Sequence, residues 1–481
     1  MKRRNSMLCA LPVIILVCSP LPAVAEAQFS QQGAKLVGTG AVGTPEQGTS
    51  VALSGDGNTA IVGGARDNYR AGAAWVYTRV HGVWHQQGTK LVGTGAIGGA
   101  LQGTSVALSD DGNTAIVGGE DDNGGAGAAW VYTRKDGVWT QPGAKLVGRG
   151  AVGAAAQGVS VALSGDGNTA IVGGVNDNDH AGAAWVFTRN CGVCVWHQQG
   201  AKLVGTGAVG GAEDPPGFFA RGAAQGAVAL SDDGNTAIVG GSRDNFFAGA
   251  AWVFTRIHGV WHQQGAKLVG TGAVGIAVQG YSVSLSADGN TAIVGGLSDN
   301  DHTGAAWVYT RSGGLWDGVW RQQGAKLVGT GAVGRAAQGA SVSLSGDGNT
   351  AIVGGWWDNG DAGAAWLYTR SGGLSDGVWS QQGAKLVGTG AIGGAAQGYS
   401  VSVSGDGHTA IVGGILDNNL VGAAWVYTRP AFAGTSGKAN CYGKSVSALV
   451  QQYGGLNAAA AALGFPSVRA LQNAILAFCA G

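Results

Sequence analysis

The stretch SVALSGDGNTAIVGG at residues 50–64 decides the fold, because close copies of it recur along most of the chain. Each copy is followed by a segment close to GAAWVYTR, as at residues 72–79, and most of them then by one close to GVWHQQGTKLVG, as at residues 82–93. The Asp of its DG turn marks every copy and falls at Asp56, Asp111, Asp166, Asp233, Asp288, Asp347 and Asp406. Successive markers lie 55 to 67 residues apart, a period that predicts a propeller, a solenoid or an array.

Each copy contains four short runs rich in Val, Ile, Trp, Tyr and Thr, the composition of packed β-strands. In the first copy we expect strands over Ser50–Ser54, Thr59–Gly63, Ala73–Arg79 and Trp84–Val92. The Gly-Asp-Gly-Asn turn between the first two strands supplies residues that tolerate the positive φ of a tight hairpin. Four antiparallel strands per copy predict one propeller blade.

The two ends of the array predict a closed ring. The motif QQGAKLVG occurs first at residues 31–38, before any copy of the first three strands, and the last copy stops at Arg429 without a fourth strand. Phe29 stands where other copies have a Trp such as Trp84. The orphan N-terminal strand can therefore complete the last sheet and leave no open edge. We predict an all-β fold, a seven-bladed β-propeller closed by the N-terminal strand, over residues 28–429.

The repeated pattern resembles the bacterial FG-GAP repeats, relatives of the integrin α-chain propeller, over residues 29–429. This resemblance implies a seven-bladed propeller with a surface or extracellular binding role. Two features depart from the family: its Phe-Gly opening is Gln-Gly here (residues 47–48 and 102–103), and its calcium loop is reduced to DGN at residues 56–58. Calcium takes six to eight oxygen ligands. We therefore expect no cofactor and no metal site, with a calcium-stabilised integrin-like adhesion module as an alternative.

The first 27 residues are typical of a secretory signal peptide. A basic start at residues 2–4 precedes a short apolar run over residues 7–21, and small-x-small cleavage motifs lie at residues 23–25 and 25–27. We expect an exported protein, periplasmic or extracellular, without a membrane span and monomeric. Lys plus Arg and Asp plus Glu both total 28, so no net field attracts nucleic acid.

The end of the chain changes character. Residues 430–440 read as a linker of small residues, and residues 441–481 show helical spacing of apolar residues. A helical module with so small a core needs a covalent cross-link to be stable, and we expect a disulfide between Cys441 and Cys479. The expected helices are Ser445–Tyr453, Leu456–Leu463 and Ser467–Phe478.

Three other residue groups invite a chemical interpretation. Cys191 and Cys194 lie at the tip of a hairpin, where a local disulfide is the expected state, because zinc would need two further ligands. His180 and His302 each follow an Asp, but neither has a nucleophile at motif spacing. The second repeated Asp, always followed by Asn, predicts turn chemistry rather than a ring of ligands. Its copies are Asp67, Asp122, Asp177, Asp244, Asp299, Asp358 and Asp417.

The residues that flank this Asp-Asn pair vary most between copies and predict the contact surface. Strand order places these DN loops on the face opposite the DG turns. Exposed aromatic clusters of this kind mark contact sites, although unselected drift or burial under another segment would give the same pattern. The candidate ligand-binding residues are Trp356, Trp357, Phe246, Phe247, Phe218, Phe219, Ile415 and Leu416.

These observations favour an exported, non-catalytic binding or scaffold protein that recognises a protein or a glycan through the DN-loop face. An alternative is a propeller hydrolase or lyase acting on polysaccharide, with a carboxylate pair from DN loops as acid and base. Asp179 and Asp301 are the residues to test for that activity.

Overall fold

The computed structural model describes residues 28–189, 195–209, 223–429, 432, 438–463 and 465–480. The predicted signal peptide, the hairpin cysteines Cys191 and Cys194, and Phe218 and Phe219 lie outside the described residues. Within them, seven four-stranded antiparallel sheets follow one another as blades, and the first strand of each blade contacts its counterparts in the neighbouring blades. The predicted seven-bladed β-propeller is confirmed.

The strands are numbered along the chain, and blade 1 comprises β2 to β5, blade 2 β6 to β9, and so on to blade 7, which comprises β26, β27, β28 and β1. The first fourteen are β1 (Ser30–Gln31), β2 (Gln47–Leu53), β3 (Thr59–Gly64), β4 (Ala73–Val80), β5 (Val83–Gln86), β6 (Ser105–Leu108), β7 (Thr114–Gly119), β8 (Ala128–Lys135), β9 (Val138–Thr140), β10 (Gln157–Leu163), β11 (Thr169–Gly174), β12 (Ala183–Arg189), β13 (Trp196–Gln198) and β14 (Gln225–Leu230). The others are β15 (Thr236–Gly241), β16 (Ala250–Ile257), β17 (Val260–Gln263), β18 (Ser282–Leu285), β19 (Thr291–Gly296), β20 (Ala305–Ser312), β21 (Val319–Gln322), β22 (Ser341–Leu344), β23 (Thr350–Gly355), β24 (Ala364–Ser371), β25 (Val378–Gln381), β26 (Gln397–Val403), β27 (Thr409–Gly414) and β28 (Ala423–Thr428).

In blade 1 the second and third strands match the prediction to within one residue, and the first and fourth strands differ from it. The inner strand β2 begins at Gln47, because a register shift between Gln47 and Ser50 lets the chain bulge and still pair with β3. The outer strand β5 ends at Gln86 rather than at Val92. Beyond it the Gln87 N–H still donates to the Val76 carbonyl at 2.7 Å, and the Leu91 N–H then donates to the Ala74 carbonyl at 2.7 Å.

The N-terminal strand closes the ring. β1 pairs antiparallel with β28, with Gln31 opposite Tyr427, and the Gln32 N–H donates to the Val426 carbonyl at 2.8 Å. Phe29 packs in the core of blade 7, and the guanidinium of Arg429 lies 5.6 Å from the centre of its ring. The predicted substitution of Phe29 for the repeated Trp is confirmed.

The core lies between blades, where a fully buried Trp fills each interface. Trp75 of blade 1 packs against Ile411 and Ala424 of blade 7. Its indole N–H donates to the Thr39 carbonyl at 2.8 Å, so the buried polar atom is paired. A Cβ at Gly38 would overlap the Trp75 ring, which explains the Gly of every LVG motif. The repeated Trp residues are therefore structural.

Three helices follow the propeller: α1 (Cys441–Tyr453), α2 (Leu456–Ala462) and α3 (Val468–Ala480). The Cys441–Cys479 disulfide is present, with the two Cα atoms 5.6 Å apart. The hydroxyl of Ser467 accepts a hydrogen bond from the Ala470 N–H at 3.1 Å, which confirms its capping role. In the described part of the chain, no helix has the length and apolar character needed to cross a membrane.

The helical module docks beside the ring closure. The hydroxyl of Ser30 in β1 donates to the Leu463 carbonyl at 3.0 Å. Tyr453 lies next to Arg79 and His81 of blade 1 and lines a small cavity with them. The module thus covers the seam between the first and last blades.

Candidate functional site

Each DN loop is anchored by its buried Asp. In blade 1 the Asp67 carboxylate accepts hydrogen bonds from the Val42 N–H at 2.7 Å and from the Lys90 ammonium at 2.5 Å. Asn68 and Tyr69 follow with φ of 48° and 55°, a left-handed turn that favours Asn. The expected turn is present, but the Asp binds a neighbouring loop and a Lys rather than its own backbone.

The same ion pair recurs in every blade, with nitrogen–oxygen distances of 2.5 to 2.6 Å. The pairs are Lys35–Asp417, Lys90–Asp67, Lys145–Asp122, Lys202–Asp177, Lys267–Asp244, Lys326–Asp299 and Lys385–Asp358. These carboxylates are structural and are not free to bind a ligand. Among the described residues, no group of three or more His, Cys, Asp or Glu side chains is placed to hold a metal ion.

The DG turns on the opposite face behave as expected. The Asp56 carboxylate accepts from the Asn58 N–H at 2.9 Å and from the Ser54 hydroxyl at 2.6 Å. These hydrogen bonds lower the pKa of Asp56 despite its burial. The turn interpretation of this Asp is confirmed.

An axial cavity of about 530 Å³ opens on the DN-loop face, a size within the range of roughly 300–1,000 Å³ typical of ligand sites. Its wall comes from the starts of the inner strands of all seven blades and from the residues that follow some of the second strands. Blade 4 breaks the symmetry, because its inner strand reads QGAVAL where blade 1 has QGTSVAL. One residue fewer there brings Gly226 against Val175 of blade 3.

Aromatic side chains border this cavity on one side. Trp356 and Tyr399 both line it, with ring centres 6.3 Å apart. Trp357 packs against Trp356 with ring centres 4.7 Å apart and planes tilted by 48°, and it lies edge-on to His302 at 5.4 Å. Tyr281 and Tyr399 remain 50% and 36% exposed. Aromatic surface is therefore available to a ligand at the mouth.

A carboxyl group and two phenols converge on the same cavity. Burial raises the pKa of Glu120, and the Asp121 charge adds to the effect. Burial likewise raises the pKa of Tyr281, with a further contribution from Glu120. Tyr399 has its pKa raised to about 12 by burial and by Tyr281, among other neighbours. Glu120 of blade 2 therefore faces aromatic groups of blades 5 and 7 across the axis.

Backbone atoms of all seven blades surround the axis on the DG-turn face. A ring of backbone hydrogen bonds of 2.9 to 3.0 Å links the seven blades there, from the Gly55 N–H to the Asp110 carbonyl and onward until the Asp406 N–H reaches the Gly55 carbonyl. Small residues predominate in the ring because a Cβ at Gly405 would lie 3.1 Å from the Gly55 Cα. The ring positions are Gly55, Asp110, Gly165, Asp232, Ala287, Gly346 and Gly405.

The two Asp residues of this ring meet above Gly165, where an added Cβ would lie 3.1 Å from Asp110 Cγ and 2.9 Å from Asp232 Cβ. Burial, the Asp110 charge and a hydrogen bond donated to Asp110 raise the pKa of Asp232 to about 7. Asp232 thus holds its proton beside the Asp110 carboxyl group at this end of the axis.

The structure places some of the predicted contact residues at the axial cavity and others outside it. Trp356 lies on the cavity wall with Trp357 packed against it, whereas Phe246, 60% exposed, lies outside the wall on the same face. Phe247, Ile415 and Leu416 are half-buried and also lie outside the wall. Whether any of these residues binds a ligand stays a prediction.

Sequence reasoning missed Glu120, Tyr281 and Tyr399. The two Tyr residues follow the repeated Gln-Gly, a position occupied by Thr in blades 1 and 2. Comparing the copies at this one position would have shown both. Their convergence with Glu120, however, depends on the closure of the ring.

The residues considered for catalysis do not form a pair of neighbours. Asp179 belongs to the DN loop of blade 3 and Asp301 to that of blade 5. Asp301 is exposed and forms an ion pair with Arg335 at 3.0 Å. A carboxylate pair from adjacent DN loops is therefore not supplied by these two residues.

Comparison with known proteins adds little beyond the fold. No protein-family model matches the chain, and no curated protein matches it. Among the solved structures that match is that of a Bacteroides uniformis protein provisionally named a 6-phosphogluconolactonase. The likeness covers 73% of this chain and 88% of that one, at 13% identity and a TM-score of 0.48. A likeness at this level gives no information about activity or ligand.

Proposed function

We propose that this protein is a non-catalytic binding protein that recognises a protein or a glycan through the axial mouth on its DN-loop face. The observation that carries the proposal is the convergence of Glu120, Tyr281 and Tyr399 on one open cavity. None of the three side chains forms a hydrogen bond or an ion pair with another described residue. Polar groups held in a half-buried cavity without internal partners are available to a ligand.

The repeated blade supports a binding role rather than a purely structural one. Six blades carry the six-residue β3-type strand, the buried Trp and the Lys–Asp pair in the same form as blade 1. Some of the differences between blades lie at the mouth, where Glu120 and Trp356 stand at a position that is Ala in blade 1, and Tyr281 stands at one that is Thr in blades 1 and 2. A scaffold that binds no ligand would not need different residues at one end of its axis.

We also propose that the chain is an exported FG-GAP-like propeller. The Cys441–Cys479 disulfide suits an oxidising compartment, in agreement with the predicted signal peptide. The ligand would then be an extracellular or periplasmic protein or glycan.

Binding to a glycan array and to an array of surface proteins tests the proposal. We expect the protein without residues 1–27 to bind at least one member, and Trp356→Ala/Trp357→Ala to weaken that binding at least tenfold. Tyr69→Asn is the matched control, because it removes an exposed aromatic side chain from the same face outside the cavity wall. Equal binding by the wild-type protein and the double variant would refute the site, and absence of binding on both arrays would refute the function.

A further inference from the structure

We propose that the axial cavity binds a sugar residue at the end of a glycan chain. This inference rests on the proposed function and selects the glycan over the protein as ligand. It depends on four features of the axis: a ring of serines, an aromatic border, one carboxyl and one guanidinium group, and a far end surrounded by backbone.

Seven serines line the cavity: Ser242 follows the second strand of blade 4, and each of the other blades supplies one serine from its inner strand. The six on inner strands are Ser50, Ser105, Ser160, Ser282, Ser341 and Ser400. They use their hydroxyls in two ways. Ser50 accepts a hydrogen bond from the Val106 N–H at 3.0 Å, so its own O–H is free to donate. Ser105 donates to the Gly158 carbonyl at 2.7 Å, so its lone pairs are free to accept.

The two uses alternate around the axis. Ser160 and Ser341 accept from backbone N–H groups at 3.1 and 3.0 Å, as Ser50 does. Ser282 and Ser400 donate to backbone carbonyls at 2.9 and 2.8 Å, as Ser105 does. In blade order, free donors and free acceptors therefore follow one another, interrupted only at blade 4.

An alternating ring of donors and acceptors matches the hydrogen-bonding character of a polyol. Each sugar hydroxyl both donates and accepts, so neighbouring hydroxyls can use neighbouring serines. A cation would use only the acceptors and an anion only the donors. Glu120 and Arg243 on the same wall add one strong acceptor and one strong donor.

The aromatic border suits the apolar face of a sugar ring. Tyr281, Tyr399 and Trp356 present partly exposed π-faces beside the polar wall. Sugar C–H groups carry a slight positive charge and pack on the negative face of an aromatic ring. A site with polar groups on one side and aromatic rings on the other can thus bind the hydroxyl groups and the C–H face of the same sugar ring.

The shape of the axis decides which part of a glycan enters. The cavity wall reaches no deeper than residues such as Val228, Val283 and Val342. Below them the backbone ring at Gly55 surrounds the axis, and the Asp110–Asp232 pair borders a second cavity there. We infer that this hydrogen-bonded ring stops a chain from threading through, so that a terminal residue enters the cavity.

Saturation-transfer NMR and titration with methyl glycosides of glucose, galactose, mannose, fucose and N-acetylglucosamine test the proposal. We expect at least one of these probes to bind the full propeller with its helical module. Trp356→Ala should weaken that binding at least tenfold, and Tyr281→Phe and Glu120→Gln should each weaken it about threefold to tenfold. Tyr69→Asn should change it less than twofold.

A second comparison tests recognition of the chain end. A linear tetrasaccharide of the sugar that binds should bind as the methyl glycoside does. The same tetrasaccharide with a bulky naphthyl group at both ends should bind at least tenfold more weakly. Equal binding of the blocked chain would overturn end recognition.

The outcomes separate this inference from the function on which it rests. If no glycan on the array and none of the methyl glycosides binds, the sugar proposal is wrong. A surface protein whose binding depends on Trp356 would in that case still support the proposed function. Sugar binding that Trp356→Ala and Glu120→Gln leave unchanged would instead place the sugar elsewhere and overturn this site.

Discussion

At the scale of single residues, the repeated charges show what sequence can and cannot establish. Asp67 and Lys90 each recur once per blade, so a structural role for both followed from their regularity alone. Their pairing did not, because the two residues lie 23 positions apart on separate loops. Regular recurrence thus separates structural from functional residues, whereas partners require the fold.

The repeated Tyr on the third strand leads to a stability prediction. The hydroxyls of Tyr77, Tyr132, Tyr309, Tyr368 and Tyr427 are buried in the described structure without a hydrogen-bond partner. A buried unpaired hydroxyl costs roughly 1–3 kcal/mol. We expect Tyr77→Phe to raise the free energy of unfolding by about 1 kcal/mol in urea titration.

Blades 3 and 4 supply the matched control for this prediction. They carry Phe187 and Phe254 at the same position, so the interface accepts either side chain. Phe187→Tyr should introduce the same unpaired group and lower the free energy of unfolding by about 1–3 kcal/mol. A Tyr77→Phe variant less stable than the wild type would show that the hydroxyl is hydrogen-bonded in solution.

At the scale of elements, the inner hairpin of each blade was the most predictable part. The DG turn and the β-branched run over Thr59–Gly64 define it by local chemistry. The outer strand β5 was predicted too long, since after Gln86 only isolated hydrogen-bonded contacts, Gln87 with Val76 and Leu91 with Ala74, join the chain to β4. The helices of the C-terminal module were predicted to within a few residues, but their docking beside Ser30 depends on contacts between distant parts of the chain.

The disulfide of this module gives the element-scale prediction. Cys441 and Cys479 are 38 positions apart, and closing a loop of that size stabilises a fold by roughly 4 kcal/mol in the chain-entropy treatment. Cys441→Ser/Cys479→Ser should therefore unfold α1 to α3, seen as lost helical ellipticity, while the propeller keeps its own melting transition. Loss of both transitions together would show that the module is required for ring closure.

At the scale of the whole molecule, the near-identical blades form the ring, and the few residues that depart from the repeat make the two ends of its axis different. Trp75 and its counterparts make seven similar interfaces, so closure could be inferred from the ends of the chain. The groups that distinguish the two ends of the axis are single departures from the repeat. Glu120 meets Tyr281, and Asp110 meets Asp232, only because the ring brings non-adjacent blades together.

The Asp110–Asp232 pair makes stability depend on pH in a direction opposite to the usual one for Asp. The folded protein holds a proton on Asp232 up to about pH 7, whereas an unfolded Asp loses it near pH 4. The stabilisation is therefore complete below about pH 4 and is lost as pH rises through about 7. The neighbouring carboxylates Asp233 and Asp288 act in the same direction.

Urea unfolding at pH 5, 6, 7 and 8 tests this dependence. Relative to the wild type, Asp232→Asn should gain stability between pH 5 and pH 8 by about 1–2 kcal/mol, less than the full shift implies because the pair is partly solvent-screened. Asp166→Asn is the control: the pKa of Asp166 is lowered by its turn, so its contribution is lost only as pH falls below about 4 and its difference from the wild type should stay constant from pH 5 to 8. A constant difference for Asp232→Asn over the same range would mean that Asp232 is already ionised at pH 5, and that this end of the axis is held by its backbone ring alone.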